Sequence, residues 1–359
     1  MRYIETRKIE NVKSFCPNNG DYAYTESQKG YLYIDGVLLE KDDAPLELSL
    51  RGKYMYVWYS SGKFELYEGH TLLNSIESNT HLLNEQTQYI GKHFFELNPH
   101  REGSNFASPI DGQLILPEFI PYMLYVEDDT IIAYDNFSGE FKRINTQIET
   151  LWQFPLSLLG GTEYEPNGTD KIKNVLGVVH GNIWIYTDFG RLVALNLKTG
   201  NVVKKMSGNP SDKNSSYAII SGLGKCYSRP SDRNIVSINA FEFQIIETEK
   251  LVVIERYDFR EADPMGMGTY RRVFSPLLQG DYFTFLGEKE EDFGSNMRRI
   301  GIFDYKARKL VWEYELISVD EYEQTRNHLV PSAPLYMIGN KLYIKDFKHT
   351  LHIFEREEI

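Results

Sequence analysis

Residues 174–206 read NVLGVVHGNIWIYTDFGRLVALNLKTGNVVKKM. Four short runs rich in β-branched and aromatic residues stand out: 175–179, 183–187, 191–196 and 201–205. Such residues suit a pleated surface. Between the runs lie His180-Gly181, Asp188-Phe189-Gly190 and Lys198-Thr199-Gly200, each with a glycine where a tight antiparallel turn needs one. A four-stranded meander with turns this short is the unit from which a propeller is built.

The same pattern recurs along the chain. Residues 48–76 carry Gly52, Gly62 and Gly69 at three turns, and 123–144 turn at 127–129 and at Ser138-Gly139. Further copies lie at 13–42, 274–314 and 335–354, with a distorted one at 217–255. Turn glycines at 52, 181, 224, 280 and 339 lie about 40 to 60 residues apart, once two degenerate copies fill the first gap. Dividing 359 residues by about 50 gives seven blades as the expected count. Six or eight remain open, because 82–126 carry no clear repeat. The last copy lacks an outer strand after Phe354, and residues 2–9, RYIETRKI, are expected to supply it. That pairing removes an open edge. The whole chain, 1–359, is expected to be one all-β propeller domain.

Residues 181–203, GNIWIYTDFGRLVALNLKTGNVV, resemble the repeat of quinoprotein-type (PQQ-like) propellers. The matching features are a Gly-initiated aromatic strand, an Asp-x-Gly turn, an Ala-Leu-Asn strand and a Lys-Thr-Gly turn. The resemblance implies the fold, which hosts many roles. Quinoprotein dehydrogenases of the family are exported and carry a Trp floor, an adjacent Cys-Cys pair and a calcium site. This sequence has no Cys-Cys, and its four Trp (58, 152, 184, 312) fall mostly in strands. No cofactor is therefore expected.

The formal net charge is −12. Isolated basic pairs flanked by acids offer no stripe for nucleic acid, so no nucleic-acid partner is expected. The N-terminal residues carry no apolar core of signal-peptide type, and the most apolar stretch, 151–159, is too short to span a bilayer. The expectation is a cytoplasmic protein with reduced thiols and no membrane partner.

Signatures of catalysis are sparse. Eight His show no HExxH or HxH spacing, and His349 and His352, three apart in an expected strand, point to opposite faces. No G-x-S-x-G elbow occurs. Gly266 and Gly268 lack the strand-to-helix context of a phosphate loop. Cys226 is expected as a buried strand thiol, and Cys16, before Pro17, in a turn and partly exposed. No catalytic, cofactor or metal residue is assigned, and the chain is read as a non-enzyme. The alternative from chemistry is a channel-metal hydrolase or a lactonase-like enzyme, whose carboxylate ligands lie far apart in sequence.

Loop lengths point to binding. In a blade, the turn between the second and third strands and the link to the next blade share one end. Long segments fall there: 146–173, 207–216, 257–273, 288–298 and 317–331. Long loops in compact domains are usually functional. These are rich in acids and in the Tyr, Met, Phe and Arg that favour protein interfaces. The expected contacts are Tyr164, Tyr270, Arg271, Glu290, Glu291, Asp292 and Tyr322. Together these features predict a monomeric, non-catalytic, protein-binding propeller. One form it can take is an immunity protein whose acids steer a basic toxin; a general assembly scaffold, as WD-type propellers are, is the broader form.

Overall fold

The computed structural model describes all residues except 19–20, 27–29, 52, 77–87, 91–93, 98–104, 108–113, 116–121, 128–129, 136–138, 163, 208–224, 230–231, 262–265, 293–296, 326–334 and 358–359. Among the described residues the chain forms eight four-stranded sheets. The first strand, β1 (Tyr3–Ile9), joins a sheet made at the far end of the sequence. Then follow β2 (Val12–Asn18), β3 (Asp21–Glu26), β4 (Tyr31–Ile34) and β5 (Val37–Glu40), and next β6 (Pro45–Arg51), β7 (Tyr54–Tyr59), β8 (Phe64–Glu68) and β9 (Thr71–Ile76). The third set is β10 (Gln88–Ile90), β11 (Phe94–Leu97), β12 (Asn105–Ala107) and β13 (Leu114–Ile115). The fourth is β14 (Tyr122–Glu127), β15 (Thr130–Asp135), β16 (Glu140–Ile144) and β17 (Thr150–Pro155).

The repeat quoted above supplies β18 (Ile172–Val179), β19 (Asn182–Thr187), β20 (Arg191–Asn196) and β21 (Val202–Ser207). The distorted copy supplies β22 (Lys225–Arg229), β23 (Asn234–Ile238), β24 (Glu242–Glu247) and β25 (Val252–Asp258). Next come β26 (Tyr270–Gln279), β27 (Tyr282–Lys289), β28 (Arg299–Asp304) and β29 (Lys309–Glu315). After a short helix, α1 (Val319–Thr325), the strands β30 (Tyr336–Ile338), β31 (Lys341–Lys345) and β32 (Leu351–Arg356) make the last sheet, in the order β1-β32-β31-β30. The fold is a β-propeller, and the expected pairing of its N-terminal strand is present: Tyr3 lies opposite Arg356 and Ile9 opposite Leu351.

Among the described residues the four-stranded sheets number eight, one of the open values, where simple division favours seven. The reason lies in β10–β13. These strands have three, four, three and two residues, too few to show a period of two.

The residues group into two compact units. One comprises residues 1–75, 238–243 and 257–359. Its sheets pack face to face in succession. Leu286, Ile300 and Ile302 meet Leu342, Ile344 and Phe354. Tyr343, Leu351 and Ile353 meet Val12 and Tyr24. Ala23, Leu32 and Ile34 meet Met55, Val57 and Tyr67. The other unit comprises residues 76–237 and 244–256, and β19 shows how it is built. Ile183 and Ile185 enter a core with Phe141, Trp152 and Phe154, while Trp184 and Tyr186 enter a second with Ile235 and Ile246. Successive side chains in a strand point to opposite faces, so one run of aliphatic and aromatic residues serves two cores. The four Trp lie in separate strands, β7, β17, β19 and β29.

Candidate protein-binding surface

In the first unit, β26 and β27 set Tyr270 opposite Lys289, and Arg299 of β28 lies opposite both Gly287 and Glu315. These residues mark one end of the sheet. Segments 257–269, 290–298 and 316–335 all leave from that end, as the blade geometry requires. The end is closely tied. Arg298 donates to Glu315 Oε1 at 2.7 Å and to the Ile317 carbonyl at 2.9 Å. Arg299 pairs with Glu291 at 3.0 Å and Glu315 at 3.4 Å. Lys348 of the β31–β32 turn pairs with Glu321 of α1.

The expected contact residues have different fates here. Glu290 and Glu291 are exposed on a single 3-10 turn, Glu290–Asp292, and Tyr322 is half-buried on α1. The side chain of Asp292 lies outside the described residues. Arg271 lies 3.9 Å from the buried carboxylate of Glu288, and Arg272 3.3 Å from it. A bulge between Tyr270 and Arg272 lets both neighbours reach one acid. Tyr270 departs from expectation: it is only 2% exposed. Its hydroxyl donates to Glu313 Oε2 at 2.7 Å, and its ring packs edge-on to Phe285. Burial disfavours a charged Glu313, but bonds from Lys289 and Tyr270 outweigh it and hold that carboxyl below its usual range. Tyr270 is thus a structural side chain. The same holds for Phe259 and Met267 of segment 257–273, which are buried. Phe259 joins Phe243, Phe283 and Phe303 in one aromatic cluster. An aromatic-rich loop is here a loop that folds its aromatics inward.

The second unit presents the opposite case. Segment 146–173 is partly strand, since β17 buries Trp152 and Phe154. After it, one 3-10 turn, Leu156–Leu159, buries Leu156 and Leu159 and leaves Leu158 71% exposed. The next residues are held from below by Arg191, which is 1% exposed. Its guanidinium donates to the Gly160 carbonyl at 2.7 Å, the Gly161 carbonyl at 2.8 Å and Asp170 Oδ2 at 3.0 Å. The tip closes on itself, with the Thr162 and Gly168 amides both donating to the Glu165 carbonyl at 3.0 Å. A Cβ at Gly161 would lie 2.2 Å from that carbonyl oxygen, so no other residue fits. Tyr164 stands on this tip, 82% exposed. A side chain on a fixed loop loses less freedom on binding than one on a mobile loop.

Asp170 does more than pair. Its Oδ1 accepts from the Lys171 amide at 2.9 Å and the Phe189 amide at 3.0 Å, joining the start of β18 to the β19–β20 turn. Asp43 repeats this in the first unit: it accepts from the Ala44 amide at 2.8 Å, the Ser61 amide at 2.9 Å and the Ser60 hydroxyl. The echo extends to the backbone, where Asp188 N donates to the Lys171 carbonyl at 2.9 Å and Ser60 N to the Ala44 carbonyl at 3.1 Å. An acid just before an inner strand was the available signal, but acids are too frequent in this chain to single it out.

Two buried clusters also escaped the sequence reading. Glu65 accepts from Lys41 at 2.9 Å, Lys63 at 2.8 Å, Tyr67 at 2.5 Å and Tyr59. Burial raises its pKa, yet these four donors prevail and hold it at about 2. His352 lies between Asp346 and Glu5. Cys16 also differs from expectation. It sits in β2 and is buried, and burial with Asp35 nearby pushes its thiol up to about 12. Cys226 has a side chain outside the described residues, as does segment 208–216 of the expected loop 207–216. Among the described residues, no group of three or more His, Cys, Asp or Glu is placed to hold a metal ion, and no helix is long and apolar enough to cross a membrane.

No protein-family model matches the sequence, and no curated protein matches it. Solved structures do. The chain is similar to the C-terminal WD40 domain of Sif2, with a TM-score of 0.61 and 12% identity over 99% of each chain. It is similar to BamB from Moraxella catarrhalis, with a TM-score of 0.56 and 10% identity over 99% of this chain and 100% of that one. It is also similar to the computationally designed protein Ika8, at 0.55 and 11% over 96% of each. At such identities the likeness establishes the propeller fold alone.

Proposed function

We propose that this chain is a cytoplasmic, non-catalytic protein-binding propeller, and that it serves as an immunity protein that neutralises a toxin. The observation that carries the binding reading is the fixed tip of residues 160–170. It holds a bulky aromatic in solvent and is rooted by a buried ion pair. Interface energy concentrates in a few aromatic and Arg anchors, with Tyr prominent among them. Tyr164 is the proposed anchor, with Leu158 on the same loop. In the other unit, Glu290, Glu291 and Asp292, with Tyr322 and Arg271 nearby in sequence or on the same sheet end, are the proposed steering group. A net charge of −12 favours a basic partner and raises its association rate at low salt. In this reading the chain is a monomer until it meets that partner.

The test is capture from the native host by tagged wild-type chain, run beside Tyr164→Ala and Glu290→Lys/Glu291→Lys. The proposal expects one stoichiometric basic protein. Tyr164→Ala should weaken it about 30-fold or more, as loss of a hot spot does. The charge reversal should slow its association and flatten the salt dependence. Identical capture and kinetics for all three chains would overturn the assignment of these residues.

A further inference from the structure

The strand that completes the last sheet is fastened by more than its backbone ladder. In β1, a register shift between Glu5 and Arg7 makes Thr6 the extra residue of a bulge. The bulge turns Glu5 and Lys8 to the same side, and Lys8 lies opposite His352. His352 is buried. Its Nδ1 lies 2.6 Å from Glu5 Oε1, and its Nε2 lies 3.0 Å from Asp346 Oδ2. Asp346 is held in turn by the amides of Lys348 and Thr350, each at 2.9 Å from Oδ1.

The chemistry of this arrangement is decided by counting protons. A neutral imidazole has one N–H and one lone pair. Either tautomer would set its lone pair against a carboxylate. Only the imidazolium, with two N–H groups, satisfies both acids. The surrounding groups complete the charge balance. Lys8 Nζ lies 3.4 Å from Glu5 Oε2 on β1, and the Tyr314 hydroxyl of β29 lies 3.5 Å from the same oxygen. On β31, Lys345 donates away from the site to the Lys13 carbonyl at 2.8 Å, and Lys348 of the turn pairs with Glu321. Two acids thus face His352 and Lys8, and the set is neutral when His352 is charged.

We propose that Glu5, His352 and Asp346 form a proton-operated clasp, which fastens β1 to β32 when His352 is protonated and slackens when it is not. The clasp joins residues 5 and 352, so it acts on the closure of the last sheet, while its Asp346 arm ties His352 to the β31–β32 turn. Slackening leaves the β1–β32 ladder in place but raises the frequency with which β1 opens and bares the edge of β32. Burial lowers the pKa of His352, but the bonds to Asp346 and Glu5 outweigh it, and the value in the folded chain stands above the ordinary 6.5. The sign follows. A raised folded pKa means stability that is full below about 6.5 and lost as pH rises through the folded value. This proposal is independent of the binding reading above.

Hydrogen exchange of the amides of residues 3–9, corrected for intrinsic base catalysis, tests it between pH 5.5 and 9, values chosen to bracket roughly 6.5. In the wild type the opening constant should be flat below about pH 6.5 and then rise up to tenfold per pH unit until the folded pKa is passed, the slope of one proton. In His352→Gln, which keeps a donor but cannot titrate in this range, the rise should vanish. A wild-type profile without the rise, or the same rise in His352→Gln, overturns the proposal. The ring-nitrogen NMR shifts of His352 in the unmodified protein give a second reading that needs no variant. Both nitrogens should be protonated at about pH 6, below the ordinary value, and a neutral tautomer there overturns it as well.

Discussion

Sheets β18–β21 and β6–β9 solve one problem with different chemistry. Each must hold the turn between its second and third strands against the start of its first. Each uses an Asp that accepts two backbone amides, Asp170 in one and Asp43 in the other. Beyond that the two part. Asp170 is fully buried and needs Arg191 to satisfy its charge. Asp43 is only half-buried and takes a serine hydroxyl. The buried charge of β6–β9 is instead Glu65, one residue into β8, ringed by two lysines and two tyrosines. A cation was placed where the loop above is long and must be rooted. Where the segment leading into the first strand is short, 41–44, the buried charge is an acid in β8. The lesson is that blade repeats preserve backbone bonds and let the side-chain chemistry drift.

The difference is sharpest in the cost of breaking each root. Arg191→Met keeps most of the side-chain volume but leaves Asp170 buried without its counter-charge, and leaves the Gly160 and Gly161 carbonyls without donors. Breaking one side of a buried pair typically costs about 3–5 kcal/mol. Urea unfolding should show a loss of that size, and Asp170→Asn on top of Arg191→Met should restore part of it, because the orphaned charge is gone. A single-variant loss near that of an ordinary surface change would mean that Arg191 does not root the loop.

Glu65 supplies the next largest effect, and it appears only in acid. Its folded pKa, about 2, lies below the ordinary 4.5. A depressed carboxylate contributes stability that is present above its ordinary value and lost as pH falls towards the folded one. The window is therefore pH 4.5 down to 2. A gap of that width corresponds to about 3 kcal/mol. Glu65→Gln should be less stable at neutral pH, because Lys41 and Lys63 lose their anion, yet flatter across this window. Unfolding curves collected at several acid pH values would show the two lines converging. Parallel lines would mean that the four donors do not hold the carboxylate as their distances imply.

How much of this was legible follows from what leaves a periodic trace. The four strands at 172–207 were readable because short runs of β-branched and aromatic residues are set off by glycine turns. The pairing of residues 2–9 with the end of the chain was readable because a missing strand and a spare one matched. Strands β10–β13 were not, being too short to alternate. Tyr270 was misread because an aromatic in a long segment says nothing of whether its segment folds back onto the sheet. Tyr164, by contrast, sits on a tip that closes on itself at Glu165 and leaves its ring in solvent. The pins and clasps were invisible for a simpler reason. Asp170 and Arg191 are 21 residues apart, and Glu5 and His352 are 347 apart, so no local spacing records them.

The smallest effect completes the contrast. Asp43→Ala removes the acceptor for the Ala44 and Ser61 amides and the Ser60 hydroxyl, but these groups lie near solvent and water can replace the lost bonds. Loss of a solvated cap of this kind costs about 1 kcal/mol. The expected result is a small drop in urea midpoint with an unchanged slope, and faster hydrogen exchange confined to the amides around Ser61. Asp43→Asn keeps one amide acceptor and should fall between. If Asp43→Ala proved as costly as Arg191→Met, the backbone bonds shared by the two sheets would be what holds each turn. The buried guanidinium would then be an ornament on the same device, and the distinction drawn between the two sheets would fail.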